Sequence, residues 1–131
     1  MKIQFLLLCI VCNSYSFANS FYKDTLYAKS VDFNILTNYQ ITCGNFEKNF
    51  NQRIKSRIID SAEITSLLDS YLSKIKYARK NREIDVRAKF IYKKEDHHVS
   101  EIRTDGNEIL INGRLIKQDD KFARFLRKLV E

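Results

Sequence analysis

From Ile84 to Lys93 the chain alternates with a period of two. Ile84, Val86, Ala88, Phe90 and Tyr92 fall on one side, and Asp85, Arg87, Lys89 and Lys93 fall on the other. Successive side chains of a strand point to opposite faces, so this pattern describes a strand with one apolar and one charged face. Parallel strands are covered on both faces and seldom alternate so cleanly, which points to an antiparallel sheet. Just upstream the period is different. Ile64, Leu67, Leu68, Tyr71, Leu72 and Ile75 recur at helical spacing, leaving Thr65, Ser66, Asp69, Ser70, Ser73 and Lys74 for water. Asp60-Ser61-Ala62-Glu63 has capping-box spacing, with Asp60 as the expected cap. A chain carrying both patterns must lay an amphipathic helix on a one-sided sheet.

The remaining elements follow the same reading. Phe33, Ile35, Thr37, Tyr39, Ile41 and Cys43 alternate, predicting a strand over 32–43 that bends at Gly44-Asn45. Residues 53–59 alternate weakly, with Ile54 and Ile58 on one side, and are expected to pair back on that strand. Residues 94–98 turn the chain into a strand over 99–104. Asp105-Gly106 and Asn112-Gly113 suit tight turns around Ile109 and Ile111, and Arg114–Lys117 completes the last hairpin. A second helix begins at Asp119 or Asp120, with Phe122, Phe125, Leu126, Leu129 and Val130 on one stripe. Lys121, Arg124, Arg127 and Lys128 lie off the stripe, and the later ones suit the helix dipole. The expected order is β-β-α-β-β-β-β-α: an α+β fold of one antiparallel sheet of about five to six strands, with two amphipathic helices on one face. Residues 19–31 have no clean period and read as a lead-in to a single domain over 32–131.

Met1–Ala18 reads as an export signal. Lys2 precedes the apolar run Ile3–Cys12, and Ser16-Phe17-Ala18 places small residues at the −3 and −1 positions of a cleavage site. The run is about half the ~20 residues a spanning helix needs, which disfavours a membrane anchor. Lipidation at Cys9 or Cys12 is disfavoured by Leu8 and Val11, where a small residue is wanted. Cleavage after Ala18 leaves 113 of the 131 residues and a formal charge of +6, against +7 for the whole chain. It also leaves Cys43 as the single cysteine, so no intramolecular disulfide can form. On the predicted strand Cys43 sits on the core face, where a thiol is buried and inert.

Catalytic and metal patterns are sparse. The three glycines stand alone in turn contexts, so there is no phosphate-cradling loop and no cofactor motif. His97-His98 beside Glu95 and Asp96 has ligand residue types, yet adjacent side chains in an extended chain diverge. A Cys43–His nucleophilic pair would need the 94–98 tip to fold back on the first strand. The basic stretch is the stronger lead. Between Lys74 and Lys94 nine cations face only Glu83 and Asp85, with Arg79, Lys80, Arg82, Arg87, Lys89 and Lys93 the candidate contacts. Such a field attracts an acidic protein surface or a polyanion. Nucleic acid is not expected, because the interleaved aromatics Phe90 and Tyr92 face the core. The expectation is a small exported, non-catalytic binding module acting through a protein surface, of inhibitor or immunity type. The alternative is a module for anionic envelope lipids or glycans through residues 74–94, and a small hydrolase comes third.

Overall fold

A computed structural model describes residues 23–131, and the expected signal at Met1–Ala18 lies outside the described residues. The elements are β1 (Thr25–Ser30), α1 (Phe46–Phe50) running into a 3-10 turn (Asn51–Arg53), β2 (Lys55–Ile59) and α2 (Ala62–Leu72). Then follow β3 (Ala88–Lys93), β4 (Val99–Thr104), β5 (Ile109–Ile111), β6 (Arg114–Leu115) and α3 (Asp120–Val130). All six strands form one antiparallel sheet in the order β2-β1-β3-β4-β5-β6. The α+β architecture is the expected one.

The alternation has the predicted result only from Ala88, where β3 begins; Ile84 and Val86, expected on the same side, join a second apolar cluster instead. Ala88, Phe90 and Tyr92 are buried on the helix-facing side, with Leu26 and Ala28 of β1, Ile102 of β4, and Ile109 and Ile111 of β5. Leu68 of α2 and Phe122, Ala123, Leu126 and Leu129 of α3 close the same core, so both long helices cover one face. The Tyr71 and Phe122 rings stack across the two helices at 4.9 Å and nearly parallel. Asn112 and Gly113, with φ of 49° and 79°, make the left-handed turn predicted for the β5–β6 hairpin. Asp119 caps α3 by accepting from the Phe122 N–H at 3.0 Å. In α2 the cap is Ser61, not Asp60; its Oγ accepts from the Ile64 N–H at 3.5 Å. Thr65, expected to face water, is buried, and its hydroxyl donates to the Ser61 and Ala62 carbonyls.

The first strand is where the sequence pattern misleads. Residues 32–43 form no strand, and the lead-in residues Thr25–Ser30 supply β1, in the interior of the sheet. Asp32 starts a turn at once: its carboxylate accepts from the Asn34 N–H at 2.8 Å and its carbonyl from Ile35 at 3.2 Å. Beyond it, side chains take the place of a neighbouring strand. Arg87 donates to the Ile35 carbonyl and Thr37 Oγ1, while Asp85 accepts from the Ile41 N–H. β2 pairs with β1 as an antiparallel neighbour, Ile59 opposite Leu26, and it is Ile59 that is buried while Ile58 faces outward.

Segment 31–54 therefore packs across the sheet face opposite α2 and α3. Val31, Ile41, Phe46 and Phe50 form a second apolar cluster with Ile84, Val86, Leu110 and Leu115. Leu110 belongs to this cluster while its neighbours Ile109 and Ile111 belong to the first, as pleat geometry requires.

Candidate interaction surface

The outer face of the sheet is divided in two. Under α1 the face is covered, and its charges are paired. Lys89 Nζ donates to Glu47 Oε1 at 2.8 Å and lies 5.9 Å from the Phe46 ring centroid. Burial pushes the Glu47 carboxyl upward, but the bond from Lys89, its own backbone N–H and the charges of Lys89 and Lys29 outweigh this, leaving it below the ordinary carboxylate value. Burial pulls Lys89 down, and the bond to Glu47 with the nearby Cys43 and Glu47 charges raises it above the ordinary lysine value.

Toward β2 no described segment covers the same face. Ile58, Tyr27 and Ile91 stand opposite one another in successive strands, and Thr25, Lys93 and Val99 form the next rank. Ile58 is 69% exposed, Val99 51% and Tyr27 41%. Lys93 Nζ lies 5.2 Å from the Tyr27 ring centroid, a cation over an aromatic face. A groove of about 400 Å³ runs along this side, lined by Thr25, Tyr27, Lys93, His97 and Val99.

The candidate cations do not gather into one patch. Arg79, Lys80 and Arg82 are exposed in the segment before β3, where Asn81 anchors them to the β6 hairpin by accepting from the Leu115 N–H and donating to the Gly113 carbonyl. Arg82 pairs with Glu108. Arg87, expected on the charged face of the strand, lies just before β3 and is only 5% exposed. Segment 31–54 covers it, and Asp85 holds it through two bonds of 2.9 and 2.6 Å. Lys89 is engaged with Glu47, so of the two lysines of β3 Lys93 alone stands exposed.

Cys43 corrects the core-face expectation. With no strand over 32–43, its thiol is half-buried on the outer side, 3.8 Å from both Glu101 carboxylate oxygens. His97 lines the groove beside Tyr27, whereas His98 lines a separate cleft of about 500 Å³ with Asp69, Tyr77, Lys94 and Ser100. The two imidazoles thus serve different surfaces. Among the described residues no group of three or more His, Cys, Asp or Glu is arranged to hold a metal ion, and no helix is long and apolar enough to cross a membrane.

Behind two lining residues of the His98 cleft, Asp69 and Lys94, lies a bonded network: Tyr92 donates toward Asp69 at 3.0 Å and Asp24 at 3.2 Å, while Lys94 donates to Asp69 at 3.1 Å. Burial, followed by the two carboxylates, drives the Tyr92 phenol well above its ordinary value, and the bond to Asp69 raises Lys94. This network ties the entry of β1 and the exit of β3 to α2.

Tyr27, Ile58 and Val99 were missed by the sequence reading. Tyr27 lies in what looked like a lead-in, and Ile58 was grouped with Ile54 on one side of a weakly alternating strand. Their signal is an apolar residue interleaved with the buried set, as Tyr27 is between Leu26 and Ala28. No known protein family, curated protein or solved structure matches the chain.

Proposed function

We propose that this protein is a small exported, non-catalytic binding module that acts through a protein surface, of inhibitor or immunity type. The observation that carries the reading is the half of the outer face that no described segment covers, where Ile58, Tyr27 and Val99 stay exposed on three strands of one sheet. An aromatic and two aliphatic side chains beside a cation have the composition of a protein contact. Their positions are fixed by strand register, so little ordering is lost on binding. The +6 charge expected after cleavage favours an acidic partner. Export rests on the Met1–Ala18 pattern, and cleavage there would leave β1 whole. The anionic lipid or glycan alternative is weakened because three of its six contacts, Arg82, Arg87 and Lys89, already hold carboxylates, and two of these, Arg87 and Lys89, are not exposed.

A photo-crosslinking side chain placed at Tyr27, Ile58 or Val99 tests the reading in the native host. Discrete crosslinked products are expected at these positions and none at Arg124, an exposed residue of α3. Uniform crosslinking, or none, refutes it. Co-sedimentation with phosphatidylglycerol vesicles that Arg79→Glu and Lys80→Glu abolish would support the anionic alternative instead.

A further inference from the structure

The two edges of the sheet are treated differently. Beyond β6 the chain covers the edge. Ala78 donates its N–H to the Leu115 carbonyl at 2.9 Å, Lys117 donates to the Lys76 carbonyl at 2.6 Å, and Tyr77 bridges Ile116. Beyond β2 no described segment lies alongside.

The phase of the ladder tells which β2 groups face outward. Val31 N–H donates to the Arg87 carbonyl at 3.0 Å, continuing the β1–β3 register. By alternation Tyr27 and Lys29 exchange their bonds with β3, while Leu26, Ala28 and Ser30 turn theirs toward β2. Their β2 partners Ile59, Arg57 and Lys55 are thereby satisfied. The N–H and C=O groups of Ser56 and Ile58 point away from the sheet, and no described residue bonds them.

We infer that this edge receives an extended partner segment as a seventh strand, with acidic residues at alternate positions and apolar residues between them. The inference rests on the protein-surface reading above and specifies its partner. The alternation follows from the side chains that flank the edge. Lys55 and Arg57 are exposed, and they oppose the helix-facing residues Ser30 and Ala28. Arg57 is held there by donating to the Leu129 carbonyl at the end of α3, at 2.7 Å. Residues of an added antiparallel strand opposite Lys55 and Arg57 occupy the closer, non-hydrogen-bonded pairs, where carboxylates are favoured. Those opposite Ser56 and Ile58 come down on the outer face beside Tyr27, where apolar side chains are favoured. A second copy of β2 does not fit, because the fully overlapped antiparallel register sets Arg57 against Arg57 at a close pair. Backbone bonds would supply the affinity and the alternating side chains the selectivity.

The test titrates acetyl-Thr-Val-Glu-Val-Glu-Thr-amide into the ¹⁵N-labelled protein. Saturable shifts are expected, largest at the Ser56 and Ile58 amides, with slowed hydrogen exchange at both. Methylating the two valine nitrogens of the peptide should weaken binding by about tenfold or more, the effect of losing two hydrogen bonds. Exchanging its glutamates for lysines should abolish it. Ile58→Pro should weaken binding likewise, since its N–H points outward and proline there leaves the β1–β2 bonds intact. If that variant fails to fold, the methylated peptide tests the same point on the unaltered protein. Shifts that survive methylation, or no shifts at millimolar peptide, overturn the inference. So do dilution-dependent shifts at Ser56 and Ile58 without peptide, which would make a second copy the occupant. Crosslinking at Tyr27 and Val99 with a silent peptide titration would leave the protein-surface reading standing and remove only the added strand.

Discussion

Deleting either partner of the Asp85–Arg87 pair removes the same ion pair, and the two deletions should not cost the same. Arg87 is 5% exposed and its guanidinium reaches Asp85, the Ile35 and Val86 carbonyls and Thr37 Oγ1. The Asp85 side chain is 41% exposed and also accepts from the N–H of buried Ile41 at 2.8 Å. Asp85→Ala therefore strands a buried cation, a loss of about 3–5 kcal/mol for a fully enclosed pair. Water reaching the vacated Asp85 side offsets part of this, to about 2 kcal/mol. The orphaned Ile41 N–H adds about 1 kcal/mol. The total is about 3 kcal/mol, or a melting temperature lower by roughly 10–15 °C for a domain of this size. Arg87→Met leaves a carboxylate that water can solvate and refills the space of the stem, so about 1–2 kcal/mol is expected. The double variant should cost only about 1 kcal/mol more than Arg87→Met, the orphaned Ile41 N–H, because no charge is left stranded. Urea unfolding of the three variants measures all of this. If Asp85→Ala costs no more than Arg87→Met, Arg87 is not held as a buried charge and the reasoning fails.

Two further outcomes follow from the packing. Glu47→Gln should lower the melting temperature most between about pH 5 and pH 10, bracketed by the ordinary Glu and Lys values. Glu47 titrates below its ordinary value, so its contribution is lost as pH falls through that lowered value; Lys89 titrates above its own, so its contribution is lost as pH rises through the raised one. A difference that stays unchanged when the pH is taken well below or well above this window in thermal melts would sink the assignment. Gly106→Ala should destabilise by about 1–3 kcal/mol. Gly106 sits at φ +102°, and an added Cβ would lie 2.9 Å from Phe33 Cδ1. An unchanged unfolding midpoint would show that the 105–107 turn adapts.

The parts of the fold readable in the sequence are those where one residue period serves one buried face. α2, α3, β3 and β4 belong to this group, because each turns its apolar set toward the shared core. Residues 32–43 alternate just as well, yet their backbone groups are taken by Asp32, Asp85 and Arg87 instead of a ladder. Alternation reports which side chains share a direction and is silent on what the backbone pairs with. Leu36 makes the point: it interrupts an apparently ordered strand and is 95% exposed. β1 escaped notice for the opposite reason. Its buried positions are Leu26, Ala28 and Ser30, and the small residues under the helices carry almost no hydropathy signal. The charge cluster was legible as a count of cations. Which of them were already spoken for depended on carboxylates brought from Glu47 and Glu108, distant in sequence.

The interior position of β1 has a consequence for how the chain assembles. β3 to β6 are joined by consecutive hairpins and can close locally, whereas Leu26 must find Tyr92 across most of the domain. β2 reaches the rest of the sheet only through β1, so it cannot seat earlier. The earliest of the described strands in the chain is thus expected to be the last of them to dock. Until it does, β3 presents an unpaired apolar edge, the kind of surface on which nascent chains associate. Productive folding of this protein then depends on keeping unfinished copies apart for as long as that slot remains open.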